Sequence, residues 1–220
     1  MMKNLQKLGG VAALYQAVAY IFGMVVFLAV LDYSGAVDPA EKMKLLLDNQ
    51  SILFVMNLII YVIFGVFLVA LVLALHERLK AKSPAIVQIA TAFGLIWAGL
   101  MFASGMVANI GASAAVDLHA TDPAQAGTVW MAIDTVVDGL GGGNEIVGAL
   151  WVLLLSWVAL KGGELPKGLN YLGLVIGAAG ILSTIPALGE IGGMIFGLGQ
   201  IVWFIWLGIV MLRSNQIETA

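Results

Sequence analysis

The sequence predicts an all-α integral membrane protein with six membrane-spanning helices. The first observation behind this prediction is composition: of 220 residues, 61% are hydrophobic and only 10% are charged, and the mean hydropathy is +1.03. Soluble domains carry roughly 25% charged residues. A soluble chain of this length could not bury so much apolar surface, so its solvent is predicted to be lipid.

The second observation is a series of apolar runs long enough to cross about 30 Å of hydrocarbon. One run, from Gly127 to Leu160, has no Lys or Arg and as a single helix would be roughly 50 Å long. Three consecutive glycines at positions 141–143 are poor helix interior and predict a break there. The predicted spans, within one domain covering 1–220, are residues 9–31, 52–75, 85–110, 144–160, 169–188 and 191–212.

The third observation is the distribution of basic residues between the predicted loops. With six spans and an inward N-terminus, eight Lys and Arg residues lie on the inner side, whereas only Lys42 and Lys44 lie on the outer side. Such a bias marks the cytoplasmic face of membrane proteins. The sequence therefore predicts a multi-pass protein of the cell inner membrane with both termini in the cytoplasm.

Two extra amphipathic helices are predicted on the outer side, at residues 39–49 and 123–140. Both begin with Asp-Pro-Ala, in which Asp38 or Asp122 is the expected N-cap and the proline occupies the first helical position. Amphipathic helices of this kind lie along the membrane surface or cover the bundle. The similar starts are consistent with an internal repeat of the first two hairpins, or with a chance similarity of helix starts.

Nearly all carboxylates fall on the predicted outer side, and some of them form a candidate binding site. Asp134, Asp138, Glu145 and Glu190, together with Asn144, would offer oxygen ligands to a divalent or an organic cation at a broken helix. The identity of any metal is left open. In the alternative interpretation, Asn144 caps the fourth span and the positive helix end stabilises the Glu145 carboxylate.

Other polar and small residues within the spans are expected to serve helix packing. The polar ones should hydrogen-bond neighbouring helices, and glycines at four-residue spacing should allow close helix contact. The polar residues are Gln16, Asn57, Asn109 and Gln200, and the glycines are Gly173 and Gly177, followed by Gly189, Gly193 and Gly197.

Several function classes lack support in the sequence. There is no cysteine, no HExxH motif, no histidine cluster and no serine in a nucleophile-elbow pattern. No Lys/Arg cluster resembles a nucleic-acid surface. Enzymatic activity is therefore the least favoured class, no cofactor is predicted, and no nucleic-acid partner is expected.

Three segments carry a resemblance to a known family. They are LGGVAALYQAVAYIFGMVVFLAVLDY (8–33), GGGNEIVGALWVLLLSWVAL (141–160) and LPKGLNYLGLVIGAAGIL (165–182). They resemble the bacterial membrane family known as domain of unknown function four-three-eight-six. The resemblance implies a bacterial inner-membrane protein with a six-span helical bundle, and it implies no catalytic residues.

Two hypotheses for function follow. In the first, the protein binds or transports a small cation or cationic solute through an acidic outer rim formed by Asp134, Asp138, Glu145 and Glu190. In the second, it is a non-catalytic membrane subunit or scaffold that docks a protein partner through its outer helices. The glycine spacings also suit a homo-oligomer, and the lipid bilayer is the expected partner in either case.

Overall fold

Long apolar sequences fold as helices in lipid because the hydrocarbon offers no partner for backbone N–H and C=O groups. The computed structural model describes residues 2–31, 38–142 and 145–217, and in these ranges all regular structure is helical. The α-helices are α1 (Met2–Val25), α2 (Pro39–Asp48), α3 (Gln50–Asn57), α4 (Phe64–Leu79), α5 (Pro84–His119), α6 (Pro123–Val137), α7 (Ile146–Gly162), α8 (Lys167–Leu182) and α9 (Gly189–Ile217).

Three of these helices continue into π-helical turns, and a short 3₁₀ turn, Pro186–Leu188, precedes α9. The π-helical segments are Val26–Val30 after α1, Leu58–Ile63 between α3 and α4, and Asp138–Gly142 after α6. A π-helical turn is uncommon and is found often at functional sites. No feature of the apolar sequence predicts these segments.

Among the described residues, five helical runs are long and apolar enough to cross a membrane. They are Asn4–Val30, Gln50–Leu79, Pro84–His119, Pro123–Gly162 and Pro186–Arg213. Helix α8 is also apolar, but its 16 residues give only about 24 Å of length. This is the architecture of a multi-pass helical membrane protein.

The predicted helix starts at the two Asp-Pro-Ala sequences are confirmed. The Asp38 carboxylate accepts hydrogen bonds from the backbone N–H of Ala40 (2.8 Å) and of Glu41 (2.9 Å). The Asp122 carboxylate accepts one from the N–H of Gln125 at 3.0 Å. Each bond satisfies a donor that the first turn of a helix leaves without a partner.

The chain divides into two compact units, each made from several stretches. Unit 1 comprises Met1–Val18, Phe64–Gly99 and Asn144–Ala220. Its core contains a row of aromatic rings in which Trp97, Trp151 and Trp203 follow one another with ring centroids 5.8 Å apart. All three indoles are buried.

Glycines bring the helices of unit 1 together. A β-carbon at Gly177 of α8 would lie 2.8 Å from the carbonyl oxygen of Ala149 on α7, and one at Gly173 would lie 2.8 Å from Nε1 of Trp203. The predicted close contact at these two glycines is therefore present within the chain. At Gly193 and Gly197 of α9, by contrast, a β-carbon would meet no atom of the described residues within 4 Å.

Unit 2 comprises Ala19–Ile63 and Leu100–Gly143, and its core lies between α2, α3, α5 and α6. Helices α2 and α6 approach closely, since a β-carbon at Gly127 would lie 2.8 Å from the carbonyl oxygen of Pro39. Each of these helices contributes buried side chains to this core. The buried core residues of this unit are Val26, Leu31, Met43, Leu46, Leu53, Met56, Ala115, Ala126 and Trp130.

Candidate functional site

A cleft of about 520 Å³ lies in unit 2 between α3, α5, the end of α2 and Trp130 of α6. Its formation begins with a close helix approach. A β-carbon at Gly105 of α5 would lie 2.9 Å from Cβ of Tyr61 and 3.4 Å from the carbonyl oxygen of Asn57. The glycine therefore allows α5 to lie against the π-helical segment Leu58–Ile63, which places the end of α3 beside α5.

Two asparagines meet at this approach. The Asn57 side-chain amide donates a hydrogen bond to Oδ1 of Asn109 at 3.0 Å. Asn57 is 6% exposed, so the bond satisfies polar atoms that would otherwise be costly to bury. The predicted interhelical hydrogen bonding is thus confirmed for this pair, and both residues line the cleft.

The remaining wall of the cleft is mainly apolar and aromatic. Trp130 forms one side, Phe54 and Val55 of α3 are half exposed, and Val116 continues the wall along α5. Among the described residues of the lining, the only charged side chain is Asp117, one turn after Ser113 on α5. The cleft therefore combines apolar surface, one indole ring, three side-chain amides (Gln50, Asn57 and Asn109) and one carboxylate.

The structure assigns the sequence-predicted carboxylates to different units. Asp134 and Asp138 are one turn apart at the end of α6 in unit 2, whereas Glu145 and Glu190 belong to unit 1. Asn144 lies outside the described residues. Within residues 2–31, 38–142 and 145–217, no three His, Cys, Asp or Glu side chains are grouped so that they could hold a metal ion.

Asp134 is engaged in a contact that the sequence analysis did not foresee. Its carboxylate forms an ion pair with Nζ of Lys42 on α2, and both side chains are largely buried, at 15% and 19% exposure. A largely buried ion pair is screened less by solvent than a surface pair. The pair therefore helps to hold α2 against α6, and it reduces the negative charge that Asp134 offers to a ligand.

Glu145 occupies the N-cap position of α7, but its side chain makes no capping hydrogen bond. It is partly buried at the N-terminal end of α7. Glu190 lies in the first turn of α9 and is exposed. One of the three adjacent glycines has a packing role, because a β-carbon at Gly141 would lie 3.1 Å from the sulfur of Met101.

The two buried glutamines of unit 1 differ from each other. Gln16 donates a hydrogen bond to the carbonyl oxygen of Phe64 at 3.1 Å, as predicted. For Gln200 the prediction of a hydrogen bond to a neighbouring helix is wrong: in the described part of the chain neither Oε1 nor Nε2 has a partner. Its helix places Gln200 one turn from Trp203 in the apolar core, where the described neighbours are mainly apolar and aromatic.

The cleft in unit 2 was not predicted from the sequence. Asn57 and Asn109 were recognised only as polar residues within spans, and Asp117 only as one of many outer carboxylates. The 52 residues between the two asparagines carry no signal that pairs them. The one usable signal was Gly105, because a glycine inside a long apolar helix often marks a close helix approach.

Comparison with known proteins agrees with the resemblance noted in the sequence. No curated protein and no solved structure matches the chain. A family model described as Domain of unknown function (DUF4386) matches residues 8–210, which is most of the chain. The chain therefore belongs to the DUF4386 family of proteins.

Proposed function

We propose that the cleft of unit 2 binds a small organic cation, and that this binding is the basis of the protein's function. The observation that carries the proposal is the cleft lining, which among the described residues has one carboxylate, Asp117, and no Lys, Arg or His. Asp117 is exposed, so solvent screens part of its attraction for a cation, and the apolar wall of the cleft supplies the rest of the binding.

The apolar walls favour an organic cation over a metal ion. Trp130, Phe54 and Val116 offer no oxygen ligands, whereas calcium requires six to eight and magnesium keeps an octahedral oxygen shell. An alkylammonium group can instead lie against an aromatic ring, here the half-exposed ring of Phe54, a contact worth about 0.5–1 kcal/mol. The side-chain amides of Asn57 and Asn109 add dipoles to the lining about two helical turns from Asp117.

The volume of the cleft also suits a small solute. Ligand sites in proteins commonly measure about 300–1,000 Å³, and this cleft of about 520 Å³ falls in that range. The route by which the cation would reach the protein stays a prediction. It is the acidic outer rim formed by Asp134, Asp138, Glu145 and Glu190. Transport of the bound solute is the extension of this proposal, testable by flux into proteoliposomes.

Asp117→Asn tests the proposal, with choline as the cationic probe and its uncharged isostere 3,3-dimethylbutanol as the matched ligand. We expect choline, but not the alcohol, to raise the thermal unfolding temperature of the detergent-solubilised wild-type protein. In Asp117→Asn the apparent affinity for choline should fall at least about tenfold, which corresponds to about 1.4 kcal/mol, because the counter-charge is lost. Titration by thermal shift or calorimetry measures both effects.

Glu190→Gln is the matched control, since it removes an exposed carboxylate from the other unit. It should bind choline like the wild type. Equal stabilisation by choline and by the alcohol, or an unchanged affinity in Asp117→Asn, would contradict the proposal. If Glu190→Gln loses the affinity and Asp117→Asn keeps it, the acidic rim is the site instead. No binding by any variant would favour the docking of a protein partner through the outer helices.

We infer that the chain crosses the membrane six times, with α8 as the fifth span and with α2 and α6 as outer helices. Support comes from the separate α-helices α6 and α7 on the two sides of the glycine sequence, and from the apolar character of α8. The distribution of Lys and Arg supports cytoplasmic termini in a bacterial inner membrane. If α6 and α7 formed one crossing and α8 none, the turn before α9 would lie inside.

Single-cysteine labelling decides between these topologies, because the natural chain has no cysteine. Thr184→Cys, in the exposed turn after α8, should react with a membrane-impermeant maleimide on intact cells. Ala120→Cys should also react, whereas Ala81→Cys should react only after permeabilisation. Protection of Thr184→Cys together with labelling of Ala120→Cys would show that α8 does not cross.

A further inference from the structure

A second cleft lies in unit 1, where the turn between α4 and α5 meets the end of α7, and its volume is about 370 Å³. Two lysines line it, Lys82 from the turn and Lys161 from the last turn of α7, and no carboxylate of the described residues does. Ser83 and Ile86 bring the first turn of α5 into the wall. The cleft is therefore a positively charged cavity at one end of several apolar helices.

Both lysines are held in place by neighbours. Nζ of Lys161 lies 4.3 Å from the ring centroid of Trp157, four residues earlier on α7. Nζ of Lys82 lies 3.1 Å from Oε1 of Glu164, and both side chains are partly exposed. A cation–π contact satisfies no N–H donor of the ammonium group, so Lys161 keeps its hydrogen-bonding capacity for an anion.

The charge around this cleft is positive beyond the two lining lysines. The same unit carries Arg78 and Lys80 at the end of α4, and Lys167 at the start of α8. Glu77 and Glu164 are the neighbouring acids, and Glu77 is engaged by Nζ of Lys80 at 2.6 Å. An anion that enters the cleft therefore meets an excess of positive charge.

The aromatic wall indicates which anion the cleft takes. Trp157 is 43% exposed, although it lies near the end of a helical run apolar enough to cross a membrane. An exposed indole at such a position sits at the level of the lipid headgroups, with its apolar ring toward the acyl chains. A phospholipid places its phosphate at the same level, whereas free inorganic phosphate would gain nothing from the indole.

We propose that this cleft, formed by Lys82, Lys161, Ser83 and Trp157, binds the phosphate of an anionic phospholipid headgroup. The two ammonium groups and the Ser83 hydroxyl bind the phosphate oxygens, and Trp157 lies along the upper acyl chains. Basic pockets between helices on the cytoplasmic side of membrane proteins bind lipid headgroups in this way. The site is separate from the cation cleft, which belongs to unit 2.

Phosphatidylglycerol is the probe that tests this site, with diacylglycerol, which has acyl chains but no phosphate and no charge, as the uncharged comparison and inorganic phosphate as the soluble one. The full chain, purified in mild detergent, should be stabilised against heat by phosphatidylglycerol well above the effect of the other two. In Lys82→Gln/Lys161→Gln the apparent affinity for phosphatidylglycerol should fall at least about tenfold. Lys161→Gln alone leaves the Lys82–Glu164 ion pair intact. This variant should lose part of the affinity for phosphatidylglycerol.

Lys80→Gln is the matched control, because it removes one positive charge from the same end of unit 1 but does not line the cleft. It should keep the wild-type affinity, and Lys82→Arg/Lys161→Arg should largely keep it too. Equal stabilisation by diacylglycerol would overturn the proposal, as would an equal loss in Lys80→Gln, which would indicate attraction by diffuse charge. An equal effect of inorganic phosphate would make the site one for a soluble anion and not for a lipid.

Discussion

Replacing Trp151 by alanine should lower the free energy of unfolding by about 3–5 kcal/mol, the usual cost of truncating a large buried aromatic side chain. Trp151 is fully buried and stands between Trp97 and Trp203, with both ring centroids 5.8 Å from its own. Its removal leaves a large cavity and ends both ring contacts, the tilted one with Trp97 and the edge-on one with Trp203. The thermal midpoint in detergent should fall on the order of 10 °C.

Trp157→Ala is the matched control on the same helix. This indole is 43% exposed, so its removal leaves no closed cavity, and in detergent without anionic lipid the midpoint should change little. Size-exclusion chromatography after heating measures the surviving folded fraction of both variants. If the two variants lose the same stability, the aromatic row is not the core of unit 1.

Replacing Gly177 by alanine should destabilise the packing of α7 on α8 by about 2 kcal/mol. The new β-carbon would lie 2.8 Å from the carbonyl oxygen of Ala149 and 3.0 Å from Cα of Leu153. Both are backbone atoms, so the helices themselves must separate. Overpacking a core costs 1–3 kcal/mol, and because the backbone must move we expect a cost of about 3 kcal/mol here. The higher helix propensity of alanine offsets only about 1 kcal/mol of this cost.

Gly197→Ala is the control for Gly177→Ala, because a β-carbon there meets no described atom within 4 Å. The same gain in helix propensity should leave this variant as stable as the wild type or slightly more stable. The measurement is the thermal midpoint of both variants under identical detergent conditions. A destabilised Gly197→Ala would show that this face of α9 is covered by something other than the described residues of the chain.

The helices and their starts were predictable because their causes are local. Asp38 and Asp122 bond to N–H groups two or three residues away, and apolar runs in lipid leave the backbone no alternative to helix. Helix ends were less predictable. The α-helical part of α6 ends at Val137, before the glycines, and passes into a π-helical segment.

The candidate sites depend on contacts between distant parts of the chain, which composition does not encode. The Lys42–Asp134 ion pair joins residues 92 positions apart, and it gives Asp134 a packing role that the sequence did not indicate. Likewise, Gly193 and Gly197 have the same spacing as Gly173 and Gly177, yet only the latter pair meets a neighbouring helix among the described residues. Sequence spacing identifies a face of a helix and not what covers it.

The contact between Gly127 and Pro39 has a consequence for the likeness of the two Asp-Pro-Ala helices. Counted from each proline, Gly127 of α6 corresponds to Met43 of α2. A strict two-fold axis between α2 and α6 would place Met43 as close to Pro123 as Gly127 is to Pro39. At that separation a β-carbon lies 2.8 Å from the carbonyl oxygen of the proline, which is too close for a methionine. Perfect internal symmetry is therefore sterically forbidden. Helix α6 has a glycine at the position where the backbone of α2 comes close, whereas α2 has a methionine at the corresponding position.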